Sequence, residues 1–401
     1  MATLLFLFRM TNWPLNFENV FKISTRSLRY NCSHPYVIRN RFWLIAVIFE
    51  RILMLICFSS LLYSIVHDIK CKMYGEAIKN GIMAIVAVTT TFKQSILFHK
   101  KDSIIKLIEF LNKDYESAKY LPNEEKQIIL KYARRGVNVC KFWLVVAGLT
   151  SLMFPMKAFI LMVYHCFKNE CKLVQMFDYT WPPIINNYKD TPIGFSSLFA
   201  LYFVFGIFST SVYIGFDPLV PIFMLHTCGK LDLISKNLGN LFSKRDIEDT
   251  KKNLKLINIQ LQEIYRFIKS IQDIFIVLYE FNMKTTTFVL PFTVFQIVES
   301  LRQKEISLEF ILFLFTYVLH FYIPCYYSTI LMEKHKELRQ NIYSCGWEME
   351  PNMEIRKTIL LMLTRTSVPL VIKTIFYSML CLFQMARQAY GIYNIMNAAW
   401  G

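Results

Sequence analysis

The sequence predicts an all-α membrane protein with seven transmembrane helices, a cytoplasmic N-terminus and an extracellular C-terminus. Three observations predict it. First, 54% of the 401 residues are hydrophobic, and they gather in seven long segments: Trp43–Val66, Gly75–Leu97, Val139–Cys166, Ile193–Leu225, Ile274–Val298, Leu308–Leu331 and Val371–Met396. Each has at least the ~20 residues that cross a bilayer core. Second, the basic residues fall on one side. The N-terminal segment and the second, fourth and sixth connections carry six, nine, nine and six Lys or Arg; the alternate connections carry two, three and two, with none after the last span. Lys and Arg bias in short loops sets orientation, so the richer side is cytoplasmic. An odd number of spans then leaves the C-terminus outside. Third, the remaining length is too little for a separate soluble domain, so residues 1–401 read as one domain.

The same composition excludes several classes. A net charge of +16 would suit nucleic acid, but its confinement to one set of loops fits cytoplasmic loops facing anionic lipid instead. No nucleic-acid partner is expected. The opening Met1–Arg9 is too short for a signal core and lacks a charged start or a small-residue cleavage site. The ten cysteines form no CxxC pair, and the seven histidines no HExxH motif. No phosphate loop or nucleophile triad is legible. The chain reads as a non-enzyme that needs no metal or cofactor. Cys71, Cys166 and Cys171 lie near the outer face, where a Cys71–Cys166 or Cys71–Cys171 bridge and free thiols are both open readings.

Along the chain, the first span carries Glu50 and Arg51 mid-membrane. Sequence neighbours do not face each other on a helix, so each is expected to meet a partner elsewhere in the bundle. The second span is weakly apolar, with Lys79, Asn80, Thr89–Thr91 and Lys93, and needs neighbours or water beside it. From Phe98 to Asn138, apolar residues at helical spacing (Ile104, Leu107, Ile108, Leu111) extend the second and third spans into the cytoplasm. Pro155 interrupts the third span, which is tolerated where a cavity or neighbour satisfies the backbone. The longest outer loop holds Tyr179-Thr180-Trp181-Pro182-Pro183, suited to a rigid cap. The fourth span is aromatic in its outer half and passes through Asp217-Pro218. A cytoplasmic amphipathic helix (Leu254, Ile257, Leu261, Ile264, Phe267, Ile271) leads into the fifth. The sixth contains Tyr317, His320 and Phe321. Trp347, a short amphipathic helix from Ile355 to Leu363, and Pro369 precede the last span.

Seven spans invite comparison with G-protein-coupled receptors, but those place the N-terminus outside. No Asp/Glu-Arg-Tyr follows the third span, and no Asn-Pro-x-x-Tyr ends the last. No internal repeat of paired broken helices favours the other alternative, a membrane transporter. The specific signal lies in the last 100 or so residues. Cys325-Tyr326-Tyr327-Ser328 is followed by Asn341-Ile342-Tyr343-Ser344-Cys345-Gly346-Trp347, then Leu360–Thr366 with Arg365, then Pro369, then Ala389-Tyr390-Gly391-Ile392-Tyr393-Asn394-Ile395-Met396. This order resembles the insect odorant receptors, as do Asp217 and the inverted topology. The ending departs from the Ser-Tyr-Ser-Tyr-Phe-Thr-Leu-Leu of many members. The long cytoplasmic insertion of the shared co-receptor is missing, so the chain resembles a ligand-tuning subunit.

The resemblance implies an odorant-gated, non-selective cation channel subunit at the plasma membrane of olfactory neuron dendrites, opening a central pore in a heterotetramer with the co-receptor. Its partners would be a small volatile organic ligand, membrane lipid and permeating cations. The cytoplasmic anchor would comprise approximately 226–273 and 332–370, with Trp347 as a subunit contact, and the pore helix 371–398. On that helix Gln384, Gln388, Gly391, Ile395 and Ala398 share a face flanked by Arg387 and Asn394, and Tyr393 or Met396 could form a hydrophobic gate. Ligand pockets are concave and largely apolar. The pocket candidates are Met83, Val86 and Ala87; Ser151, Phe154 and Ala158; Phe199, Tyr202 and Phe203; and Tyr317, His320 and Phe321. Tyr317 and His320 would donate to a ligand oxygen.

Overall fold

A computed structural model describes residues 15–168, 172–177, 179–242, 246–304 and 307–372, together with 387, 390–395 and 398. Among these residues every regular element is helical. "Outer" and "inner" below follow the orientation that the charges predict.

Two short helices open the described chain: α1 (Phe17–Val20) and α2 (Lys22–Tyr30). Helix α2 is strongly amphipathic and turns Ser24, Thr25 and Leu28 inward. Ser24 and Ser27 donate to the carbonyls of Gly215 and Ser211 at 2.6 and 2.8 Å. Gly215 is required here, because a Cβ would sit 2.8 Å from a Leu28 methyl.

Helix α3 (Arg41–Lys70) starts at Asn40, whose side chain accepts the Trp43 N–H. It buries Met54, Cys57, Leu61, Ser64 and Asp68 at helical spacing. Its other face is equally apolar yet exposed, with Phe42 81% accessible and Ile45, Phe49 and Ile52 beside it. A helix apolar all round is built for lipid. Helix α4 (Tyr74–His99) packs against α3 and buries Asn80, Thr89, Thr90, Lys93 and Gln94. This weakly apolar span has the neighbours its composition demands.

Next come α5 (Lys101–Ala118), α6 (Asn123–Phe167), a one-turn α7 (Pro183–Asn186), α8 (Pro192–Phe216) and α9 (Leu219–Gly239). Pro192 sits at the start of α8 behind a Thr191 cap. Asp217 and Pro218 separate α8 from α9, because proline cannot donate to the preceding turn. Helix α10 (Ile247–Arg302) has 56 residues. At 1.5 Å per residue it is about 84 Å long, far beyond a ~30 Å hydrocarbon core. The cytoplasmic amphipathic helix and the fifth span are thus one continuous rod. Helix α11 (Leu308–Tyr343) is similarly extended, and α12 (Met353–Thr366) starts at Asn352, whose side chain accepts two backbone N–H groups.

Five runs among the described residues are long and apolar enough to cross a membrane: α3, α4, α6, α8 with α9, and α11. Helix α10 is not one of them; its predicted span is diluted by Glu280, Lys284 and Thr285–Thr287. Most of the predicted seventh span lies outside the described residues.

The interior has two parts. An inner cluster, rich in Leu and Ile, joins α5, α6, α9, α10, α11 and α12. A smaller outer cluster is rich in aromatic rings and joins α3, α4, α8, α10, α11 and the 176–181 loop. Glu50 and Arg51 each meet a partner on α4, as expected, though neither enters a salt bridge among the described residues: Gln94 hydrogen-bonds the Glu50 side chain, and Arg51 lies over the Phe98 ring, 5.7 Å from its centroid. Cys71 is a free, exposed thiol, which is one of the two readings left open for it.

Candidate functional site: an aromatic cavity above a buried ion pair

The outer cluster encloses a cavity of about 110 Å³. Helix α4 contributes Met83 and Val86; α6 contributes Trp143, Ala147, Thr150, Ser151 and Phe154; α8 contributes Phe205, Gly206, Ser209, Thr210 and Tyr213; α11 contributes Phe313, Thr316, Tyr317 and His320. Met176 and Phe177 reach in from the loop. That loop is tied down. Thr180 bonds Asp68 through its hydroxyl at 2.8 Å and Ser64 through its N–H at 2.9 Å, and the rings of Phe177, Tyr179 and Trp181 gather on Tyr202, with centroids 4.7 to 6.0 Å away.

Most polar groups at the wall are already spent. Thr150 and Thr316 share a hydrogen bond of 2.7 Å across α6 and α11. Thr210 donates to the Gly206 carbonyl, and the Tyr317 hydroxyl donates to Thr285 at 3.3 Å. What remains facing the space is largely ring and methyl surface, suited to dispersion and ring contacts.

Beside the cavity lies a buried charged group. Lys93 Nζ is 2.6 Å from Asp217 Oδ1, and His320 Nδ1 is 3.0 Å from Asp217 Oδ2. The Lys93 ammonium also sits 3.7 Å from the centre of the Tyr213 ring, a cation–π contact. Asn282 Nδ2 approaches His320 Nε2 at 3.2 Å. His320 is therefore shared: one edge lines the cavity while its nitrogens address Asp217 and Asn282.

Of the pocket candidates read from sequence, Met83, Val86, Ser151, Phe154, Tyr317 and His320 line this cavity. Ala87, Ala158 and Tyr202 are buried off its wall, Tyr202 being hydrogen-bonded to Ser60. Phe199 packs at the edge of the outer cluster. Phe321 belongs to the inner cluster, and Phe203 is 39% exposed on the outside of α8. The sequence reading therefore took another face of α8 than the one that lines this cavity. The wall runs through Phe205, Ser209 and Tyr213, a four-residue repeat as visible in sequence as the one chosen. It also missed Trp143 and Ala147, which extend the Ser151–Phe154 face inward by two turns, and Phe313 and Thr316, one turn before Tyr317 and His320.

Residues 390–395 are helical. Ile392 and Tyr393 pack against the outer cluster. Asn394 is exposed, as is Ile395 at 70%, and Gly391 is half-buried. Gln384, Gln388 and Met396 lie outside the described residues. Trp347 packs partly buried on the inner cluster and donates its indole N–H to the Tyr343 carbonyl at 3.1 Å.

An all-helical membrane protein with a largely apolar, partly open cavity among its outer helices is the class this arrangement defines. A family model described as "7tm Odorant receptor" matches residues 74–390, and the chain belongs to that family, one of receptors and not enzymes. Odorant receptor 13a of Drosophila melanogaster is 24% identical over 146 residues, 35% of each protein, so the match spans about a third of that relative's length. The fold is similar to that of the insect olfactory receptor OR5 from Machilis hrabei. In complex with eugenol that structure superposes with a TM-score of 0.77 at 15% identity, covering 95% of this chain and 98% of the other. A second structure of OR5 from Machilis hrabei gives 0.73, at 15% identity, covering 94% of this chain and 97% of the other.

Proposed function

We propose that this receptor is the ligand-tuning subunit of an odorant-gated, non-selective cation channel, acting in a heterotetramer with the family's co-receptor in the plasma membrane of olfactory neurons. One observation carries the reading. Met83, Phe205, Phe313 and Tyr317 of the cavity wall belong to the same packed cluster that receives Ile392 and Tyr393 of the last helix. A change in cavity shape is therefore felt by that helix directly.

Size supplies the driving force. An apolar cavity of roughly 150 Å³ accommodates benzene, and this one is about 110 Å³. A ligand of eugenol's kind has to widen it. A ligand shifts a two-state equilibrium only through differential affinity, and an expanded cavity provides that difference. Displacing Tyr393 outward would then move the exposed Asn394 and Ile395, which we assign to the pore side. The N-terminus is assigned to the cytoplasm on the Lys and Arg bias.

The test is paired recording. Expressed alone the chain should give little current; with the co-receptor it should give odour-evoked cation current. Robust current from the chain alone would refute the tuning role. An extracellular C-terminal tag, stained on intact cells, separates this reading from a G-protein-coupled receptor; staining only after permeabilisation would sink it.

A further inference from the structure

Three buried polar atoms on cavity-lining residues have no hydrogen-bond partner among the described residues, and while His320 Nδ1 still faces the Asp217 carboxylate at 3.0 Å, the other two, on Trp143 and Ser209, face no charged group that would use them. Trp143 is 1% exposed, and its Nε1 has no hydrogen-bond partner among the described residues. Ser209 is 6% exposed, and its Oγ is likewise unpartnered. Both line the cavity, from α6 and α8, which pack on each other. Their neighbours behave otherwise: the hydroxyls of Thr150, Thr210, Thr316 and Tyr317 are all bonded within the protein. Even a serine on a helix usually returns its proton to the carbonyl one turn back, as Ser196 and Ser197 do on the same helix.

An indole N–H can only donate. A buried donor left unmade is costly, and here it is kept in a space otherwise lined by rings and methyls. We propose that Trp143 is a specificity-determining residue: its N–H donates to an acceptor oxygen on the ligand, with the Ser209 hydroxyl as second donor. The preferred ligands are then small ketones, esters or ethers, not hydrocarbons of the same shape. His320 and Tyr317, the donors expected from sequence, are engaged with Asp217, Asn282 and Thr285. The inference rests on the cavity being the odorant site, but not on the pore or the co-receptor.

The experiment uses the full chain in detergent and reads binding as ligand-dependent thermal stabilisation. The probes are acetophenone and α-methylstyrene, in which a methylene replaces the carbonyl oxygen. One net hydrogen bond predicts roughly tenfold tighter binding of the ketone. Trp143→Phe should erase that preference, read as the ratio of the two affinities within the variant because the smaller ring changes the cavity for both probes alike; Ser209→Ala should narrow it. Equal binding of the two probes by the unaltered chain, no binding of either, or a preference that survives Trp143→Phe overturns the proposal. If Trp143→Phe does not fold, the unaltered chain and Ser209→Ala decide: no preference, or a preference that Ser209→Ala leaves whole, refutes it. Odour-evoked current is recorded separately, so a chain that prefers the ketone yet conducts nothing upholds this inference while failing the channel reading.

Discussion

The Lys93 ammonium lies 2.6 Å from the Asp217 carboxylate, with the Lys93 side chain wholly buried and that of Asp217 nearly so. The pair fastens α4 to the break between α8 and α9, directly beside the cavity. Its strength lies less in net attraction than in what happens when one partner is removed. An uncompensated buried charge costs about 3–5 kcal/mol, whereas removing both charges together can be neutral. Lys93→Met should therefore lower thermal stability in detergent by about that amount and reduce delivery to the cell surface. Lys93→Met with Asp217→Asn should recover most of the loss. A single Lys93→Met variant as stable as the unaltered protein would show that the pair is not structural.

Gly206 and Tyr317 set the size of the cavity, while Phe203 does not. A Cβ at Gly206 would meet Ser151 Oγ at 3.6 Å, an ordinary contact, so Gly206→Ala should fold and shrink the space by one methyl. Dose–response curves should then favour smaller odorants. Tyr317→Ala should favour larger ones, and Phe203→Ala should leave the ranking unchanged. A reordering by Phe203→Ala without one by Tyr317→Ala would place the ligand elsewhere.

The inner end carries apolar surface that the described residues do not cover: Tyr343, Met349, Met353 and Leu361, the last 70% exposed. An apolar patch of this kind marks an interaction surface, and in the tetramer proposed above it is the anchor. Leu361→Glu should leave the melting temperature of the isolated chain within a degree or two while abolishing co-purification with the co-receptor. Intact assembly after that change would move the interface away from α12.

His34 gives a pH signature. It is buried between α2 and α3, and its Nδ1 accepts the Tyr36 N–H at 3.3 Å. Burial, only partly offset by Glu18, pulls its pKa down to about 4. The unfolded chain then binds the proton more readily, so stability rises with pH across this window. Unfolding in detergent should show stability lost as pH falls from about 6.5 toward 4, and His34→Gln should flatten that slope. An unchanged slope in the variant would assign the loss to other groups.

Much of the fold was legible before any coordinates. Apolar length and the placement of Lys and Arg are properties of the chain alone, because a bilayer imposes one thickness and one sign of surface charge on every span. The helices beyond the spans were visible too, from the spacing of Ile104, Leu107 and Ile108 or of Leu254, Ile257 and Leu261.

What only the tertiary structure decided is which face of each helix looks inward. In lipid, both faces are apolar, so periodicity loses its contrast. Phe199 and Phe203 therefore read as well as Phe205, Ser209 and Tyr213, and only packing against α6 and α11 separates them. The same holds for charges. Lys93, Asp217 and His320 stand 124 and 103 residues apart in sequence, and nothing local shows that they meet. Nor does sequence reveal that Trp143 keeps an unused donor, because an unmade hydrogen bond is a property of the whole surrounding shell and not of any residue in it.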